Sequence, residues 1–152
     1  MKIALGCDHG GYDLMQVVKA HLTEKGFTFE DFGTYSKESC HYPVFGYRAA
    51  KAVADGVCDR GIIICTTGIG ISITANKVKG VRAALCADSL SAEMTRRHND
   101  ANVLAMGAGI VGPNLALAIV DAFLGTETEA VPGSRHKARV DLIADVENGK
   151  AI

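Results

Sequence analysis

The sequence predicts a three-layer α/β domain around a five-stranded, mainly parallel sheet, with right-handed crossovers. Two observations carry this. Short apolar runs alternate with longer amphipathic stretches along the whole chain. The clearest run, Gly61–Cys65 (GIIIC), is almost unbroken, as expected of a strand covered on both sheet faces. A length of 152 residues, 48% of them hydrophobic, suits one core and leaves little room for a second.

In chain order, Lys2–Gly6 reads as the first strand. Tyr12–Lys25 follows as a helix with Leu14, Val17, Val18 and Leu22 on one face. Phe27–Phe32 is a weaker strand, closed by Gly33. Pro43 fits the first turn of a helix running to about Asp55. After the Gly61–Cys65 strand come a glycine-containing turn and a short helix near Ile71–Lys77. Val81–Cys86 is the next strand, Ser89–His98 a helix and Asn102–Met106 the last strand. Pro113–Leu124 and Ala138–Glu147 read as helices, and the polar, turn-rich stretch Thr126–Lys137 as a mobile or docking segment. Ligands of such sheets gather at the carboxyl ends of strands. Asp8-His9, Thr66–Ser72 and His98-Asn99 are therefore expected to meet in one site.

Bulk properties narrow the function. Sixteen basic and 17 acidic residues give a formal charge of -1, which argues against broad attraction to nucleic acid or to an acidic membrane. The opening MKIALGCDHGG lacks the long apolar stretch of a signal peptide or a spanning segment. Cysteines at 7, 40, 58, 65 and 86 cannot all pair, and none forms a zinc-like Cys-x2-Cys. Free thiols in a reducing, cytoplasmic setting are expected.

The most informative stretch is IIICTTGIGIS, residues 62–72. Cys65 closes a strand, and Gly68 and Gly70 loosen the turn before Ser72. Backbone amides at such a turn converge on an oxyanion or a phosphate, and the location draws a cysteine toward thiolate. A poised thiolate can move a carbon-bound proton while the amides hold an enediolate oxygen. The motif alone reads equally well as a small buried cysteine before a tight turn. No Gly-Lys-Ser/Thr is present for a Walker A loop. Gly107-x-Gly109-x-x-Gly112 matches the dinucleotide pattern, but the residue 20 further on, Glu127, falls beyond the expected helix rather than at the next strand tip. Close backbone packing explains those glycines better.

Several separated motifs, in order, resemble the ribose-5-phosphate isomerase B and galactose-6-phosphate isomerase family: GCDHGG (6–11), CTTGIGIS (65–72), ANK (75–77), GVRAALC (80–86), RRHNDANVLAMG (96–107) and SRHKARV (134–140). The resemblance spans nearly the whole chain and is closest to the ribose-5-phosphate isomerase B type. It implies a Rossmann-like fold for residues 1–152. It also implies a homodimer, in some members assembled into tetramers, with sites at the subunit interface and residues 126–152 reaching toward the neighbour's phosphate site. The implied reaction is aldose–ketose isomerisation of a sugar phosphate with no metal and no cofactor. By this resemblance Cys65 is the base, Thr67, Gly68, Ile69, Gly70 and Asn99 hold the oxyanion, and Asp8 and His98 open the cyclic sugar. His9, Arg135 and Arg139 resemble phosphate ligands, with His136 and Ser72 near the phosphate, and Tyr42 resembles a residue lining the pocket. Arg135 and Arg139, four apart, share a helix face.

Two positions depart from the pattern of the ribose phosphate members. Thr66 stands where glycine is common, and Gly109 where an arginine often completes the phosphate site. Allose 6-phosphate or galactose 6-phosphate are therefore alternative substrates. A catalytically silent sugar-phosphate or nucleotide-binding module is the alternative of another class.

Overall fold

The structure, a computed structural model, describes residues 1–152. Five strands and six helices follow one another as β1 (Lys2–Cys7), α1 (Tyr12–Glu24), β2 (Thr28–Asp31), α2 (Tyr42–Ala54), β3 (Arg60–Cys65), α3 (Ile69–Ala75), β4 (Ala83–Leu85), α4 (Ser89–Asn99), β5 (Val103–Gly107), α5 (Pro113–Gly125) and α6 (Arg135–Glu147). All strand pairs are parallel and the order is β2-β1-β3-β5-β4. The expected three-layer, Rossmann-like α/β architecture is the one formed.

The layers follow from the two-residue period of the strands. Ile3, Leu5, Ile62, Ile64, Leu104 and Met106 pack on one side with residues of α1, α4 and α5. Ala4, Ile63, Cys65, Val103 and Ala105 face the other way, against α2 and α3. The three consecutive isoleucines of β3 are all fully buried, each contributing about 1.5–3 kcal/mol of apolar burial. Cys65 belongs to the α2–α3 side, so its sulfur emerges where β3 ends beneath those helices.

Several boundaries shift by one to three residues from the sequence reading, and three of the shifts have a visible cause. Strand β4 keeps only Ala83–Leu85 of the expected Val81–Cys86. The Arg82 amide turns instead to the Asn102 side chain, at 2.8 Å. Helix α3 starts at Ile69 rather than Ile71, because left-handed Gly68 (φ 77°) ends the turn sooner. Helix α6 starts at Arg135 rather than Ala138, with the Ser134 hydroxyl accepting from the Lys137 amide at 3.1 Å as its N-cap. No helix is long and apolar enough to cross a membrane.

Candidate active site

The chain leaves β1 outward to β2 and then returns to the other side of β1 for β3, so the strand order reverses between β1 and β3. That reversal opens a crevice at their carboxyl ends. Asp8-His9 and Cys65–Gly70 both lie there. Cys65 is 4% exposed, and the Gly68 amide donates to its Sγ at 3.1 Å. The turn needs glycine at 68: φ is 77°, and an added Cβ would stand 2.5 Å from Leu85 Cδ1 and 2.7 Å from the Met106 carbonyl carbon. Thr67 Oγ1 accepts from the Ile69 amide at 3.3 Å, and Thr66 and Thr67 are both exposed at the mouth.

Across the crevice Asp8 is 4% exposed, and its Oδ1 accepts from the Gly11 amide at 3.1 Å. Its Oδ2 lies 3.9 Å from His9 Nδ1. The Cys40 amide donates to that same Nδ1 at 3.2 Å, which assigns the His9 proton to Nε2. An Nε2–H is a donor of the kind a phosphate oxygen accepts. The Tyr42 ring covers Gly70 closely, since a Cβ there would meet its Cζ at 2.5 Å. Ser72, by contrast, is buried, and its hydroxyl donates to the Ile69 carbonyl at 2.8 Å. It braces the turn rather than facing a phosphate.

His98 and Asn99 do not join this cluster within one chain. Helix α4 runs antiparallel to the strands, so its last turn lies at the amino edge of the sheet. The Asn99 carbonyl accepts from Arg82 Nε at 2.9 Å, just before β4. Cys65 pairs with Gly107 at the far end of β5. A five-residue strand thus separates them, roughly 17 Å at about 3.3 Å per residue. The expectation of one intrachain site fails because His98 and Asn99 end helix α4 and lead into β5, instead of directly leaving the carboxyl end of a strand.

The amino edge carries a second cluster. His98 stacks on His136 of α6, with centroids 4.5 Å apart and planes within 4°. His136 Nε2 lies 3.7 Å from Glu129 Oε2, and Arg97 Nε donates to Glu129 Oε1 at 2.6 Å. Those contacts dock the 126–134 segment onto α4. Hydrogen bonding to Arg97 holds the Glu129 carboxyl below its usual range. Burial, then the neighbouring His98 and Arg135, push His136 below its ordinary value. Arg135 and Arg139 are exposed and make no ion pair, leaving two guanidinium groups free on one face of α6. The Asn99 side chain is likewise exposed and makes no hydrogen bond.

His98, Glu129 and His136 bring ligand atoms within 4.8 Å of one another. Their arrangement does not suit a metal. Imidazole lone pairs lie in the ring plane, and two parallel stacked rings cannot both direct a nitrogen at one ion 2.0–2.1 Å away. Burial pushes the thiols of Cys7 and Cys86 up to about 12 and about 11, which leaves them inert packing groups.

The two departures noted in the sequence face each other. Gly109 donates its amide to the Thr66 carbonyl at 2.8 Å, and a Cβ on Gly109 would stand 3.5 Å from Thr66 Cγ2. Glu129, the Cys40 amide and this contact were invisible to sequence reasoning, since each depends on residues more than 30 positions apart.

Comparison with known proteins agrees with the architecture. The profile of the Ribose/Galactose Isomerase family matches residues 3–143. Ribose-5-phosphate isomerase B of Escherichia coli (strain K12) is 50% identical over 146 residues, 96% of each chain. The galactose-6-phosphate isomerase subunit LacB of Clostridium acetobutylicum is 47% identical over 151 residues, 99% of this chain and 86% of that one. The solved structure of Clostridium thermocellum ribose-5-phosphate isomerase B superposes with a TM-score of 0.95 at 52% identity, covering 98% of this chain and 99% of the other. With its fold, its glycine-turn cysteine and these matches taken together, the chain belongs to the ribose/galactose isomerase family.

Proposed function

We infer that the protein interconverts D-ribose 5-phosphate and D-ribulose 5-phosphate through a cis-enediolate, using protein groups alone, as a homodimer whose sites form between chains. The observation that carries this reading is Cys65 Sγ, closing β3 beside Asp8-His9 and accepting the Gly68 amide at 3.1 Å. The names of its relatives support the same chemistry.

The steps follow from the groups available. The cyclic sugar opens when its anomeric hydroxyl loses a proton and its ring oxygen gains one, the task of Asp8 and of a partner's imidazole at position 98. Cys65, as thiolate, takes the proton from C2 of the open aldose, and the electron pair moves onto the C1 carbonyl oxygen. The Thr67–Gly70 turn and the partner copy's asparagine at position 99 hold that oxyanion. Proton exchange between O1 and O2 lets the thiol return its proton to C1, leaving the ketose. The His9 Nε2–H and the paired, unpartnered guanidinium groups of α6 bind the phosphate.

The division of groups between two sheet edges is the argument for a dimer. One copy offers Cys65, Asp8, His9 and Tyr42; the other offers His98, Asn99, Arg135 and Arg139. A six-carbon sugar phosphate is the second reading, favoured by the contact between Thr66 and Gly109, where no basic side chain narrows the crevice.

Turnover of ribose 5-phosphate, allose 6-phosphate and galactose 6-phosphate, measured with chelator present and against a Cys65→Ala control, tests both. Ribose 5-phosphate should give the highest kcat/KM, and the variant should lose at least about 100-fold. A six-carbon preference would keep the mechanism and change the substrate. Turnover independent of Cys65, or none at all, would sink the reading.

A further inference from the structure

Asp100 is the one residue other than glycine with a positive φ, at φ 47° and ψ 43°. It sits at the end of α4, directly after His98 and Asn99. Glycine is the usual occupant of such a left-handed helix terminus, because an L-side chain is strained there. Strain of this kind clusters where geometry matters to function.

Two arginines surround this corner. Arg82 Nη2 donates to the Asp100 carbonyl at 2.7 Å and to its carboxylate Oδ2 at 3.0 Å, while Arg82 Nε donates to the Asn99 carbonyl at 2.9 Å. Arg96 Nη1 donates to Asp100 Oδ1 at 2.9 Å and also to the Ala101 carbonyl. Arg96 is 1% exposed, its Cζ lies 5.8 Å from the centre of the Phe123 ring, and its Nε and Nη2 have no hydrogen-bond partner. A buried guanidinium with unmet donors is costly for a fold that only needs to end a helix. Glycine at 100 would remove the backbone strain, and Arg82 would still cap the carbonyls. What the carboxylate adds is a rigid link between Arg82 and Arg96 across the corner.

We propose that Asp100 is a positioning residue: bridging Arg82 and Arg96, it fixes the last turn of α4 so that His98 and Asn99 are held at a set angle for the neighbouring chain's crevice. The proposal rests on the isomerase reading for the purpose of those two side chains, not for the clamp itself. Asn99 is fixed through its carbonyl while its side chain stays free for substrate. His98 gains a second support from the stacked His136.

The test uses Asp100→Gly and Asp100→Asn in the full-length protein. Three quantities are read: kcat and KM on the sugar phosphate the parent turns over, thermal unfolding, and side-chain NMR signals of His98 and Asn99. Asp100→Gly should lower kcat about 10- to 100-fold, as a misplaced transition-state group does, with KM within about threefold of the parent. Asp100→Asn, which keeps one acceptor oxygen and tolerates the left-handed backbone, should fall between. The His98 and Asn99 signals should broaden or average while the rest of the spectrum stays put. If Asp100→Gly does not fold, Arg82→Lys, which keeps charge but loses the fork, should show the same kcat loss and the same averaging.

A folded Asp100→Gly with kcat near the parent's and unchanged His98 and Asn99 signals overturns the proposal, even if its melting temperature drops. So does a parent-like Arg82→Lys where the glycine variant fails to fold. A parent inactive on every sugar phosphate would refute the isomerase reading, and the NMR comparison would still decide whether Asp100 holds the two side chains.

Discussion

Mixing two inactive variants should restore activity if the site is built from two chains. Cys65→Ala removes the proposed base at the carboxyl edge of the sheet. Asn99→Ala removes the proposed oxyanion donor at the amino edge, a loss of about 100- to 1000-fold for a single such donor. The two residues are separated by the length of β5, roughly 17 Å, so they cannot serve one site in one chain. In a two-fold symmetric dimer each site draws Cys65 from one copy and Asn99 from the other. A mixed dimer therefore contains one site with both residues and one with neither. After random exchange of equal amounts, half the dimers are mixed and half their sites intact, about one quarter of parental activity. The assay is turnover before and after mixing under conditions that allow exchange, with exchange followed by mass spectrometry of the dimers. Activity that stays at the sum of the separate variants, despite proven exchange, would refute the shared site.

Two other outcomes follow from contacts in the structure. Gly10→Ala should destabilise the fold because its Cβ would lie 2.1 Å from Thr66 Oγ1; in a denaturant double-mutant cycle Thr66→Gly should relieve part of that loss, with a coupling of about 0.5–3 kcal/mol, and strict additivity would count against the contact. His136 is held below its ordinary value of 6.5, so the folded state binds its proton less readily than the unfolded chain does. Its contribution is intact above about 6.5 and is lost as pH falls from there through the lower folded value, which should appear as weakened docking of α6 and a His136 NMR titration midpoint below 6.5; a midpoint above that value would contradict the stacked, buried environment.

Much of this was legible in advance because it is local. The run of isoleucines in β3 had to be a strand covered on both faces, and Pro43 marks a helix start by its own stereochemistry. Cys65 at a strand end before a glycine turn could be placed from neighbours in the chain. The boundaries that shifted did so for non-local reasons. Strand β4 starts late because Arg82 serves Asn102 and the end of α4, partners 17 to 20 residues away.

The sequence by itself determined the layered α/β architecture and the cysteine turn at a carboxyl edge, since periodicity and backbone stereochemistry act over a few residues. Only the tertiary structure decided where those groups stand relative to one another. His98 and Asn99 lie close to the sheet in sequence, yet the antiparallel run of α4 carries them to the opposite edge from Cys65. The same folding wedges Thr66 against Gly10 and Gly109, and brings Arg82 and Arg96 onto Asp100. Such placements depend on the direction in which each crossover helix returns along the sheet, a property of the assembled layers rather than of any short stretch of chain.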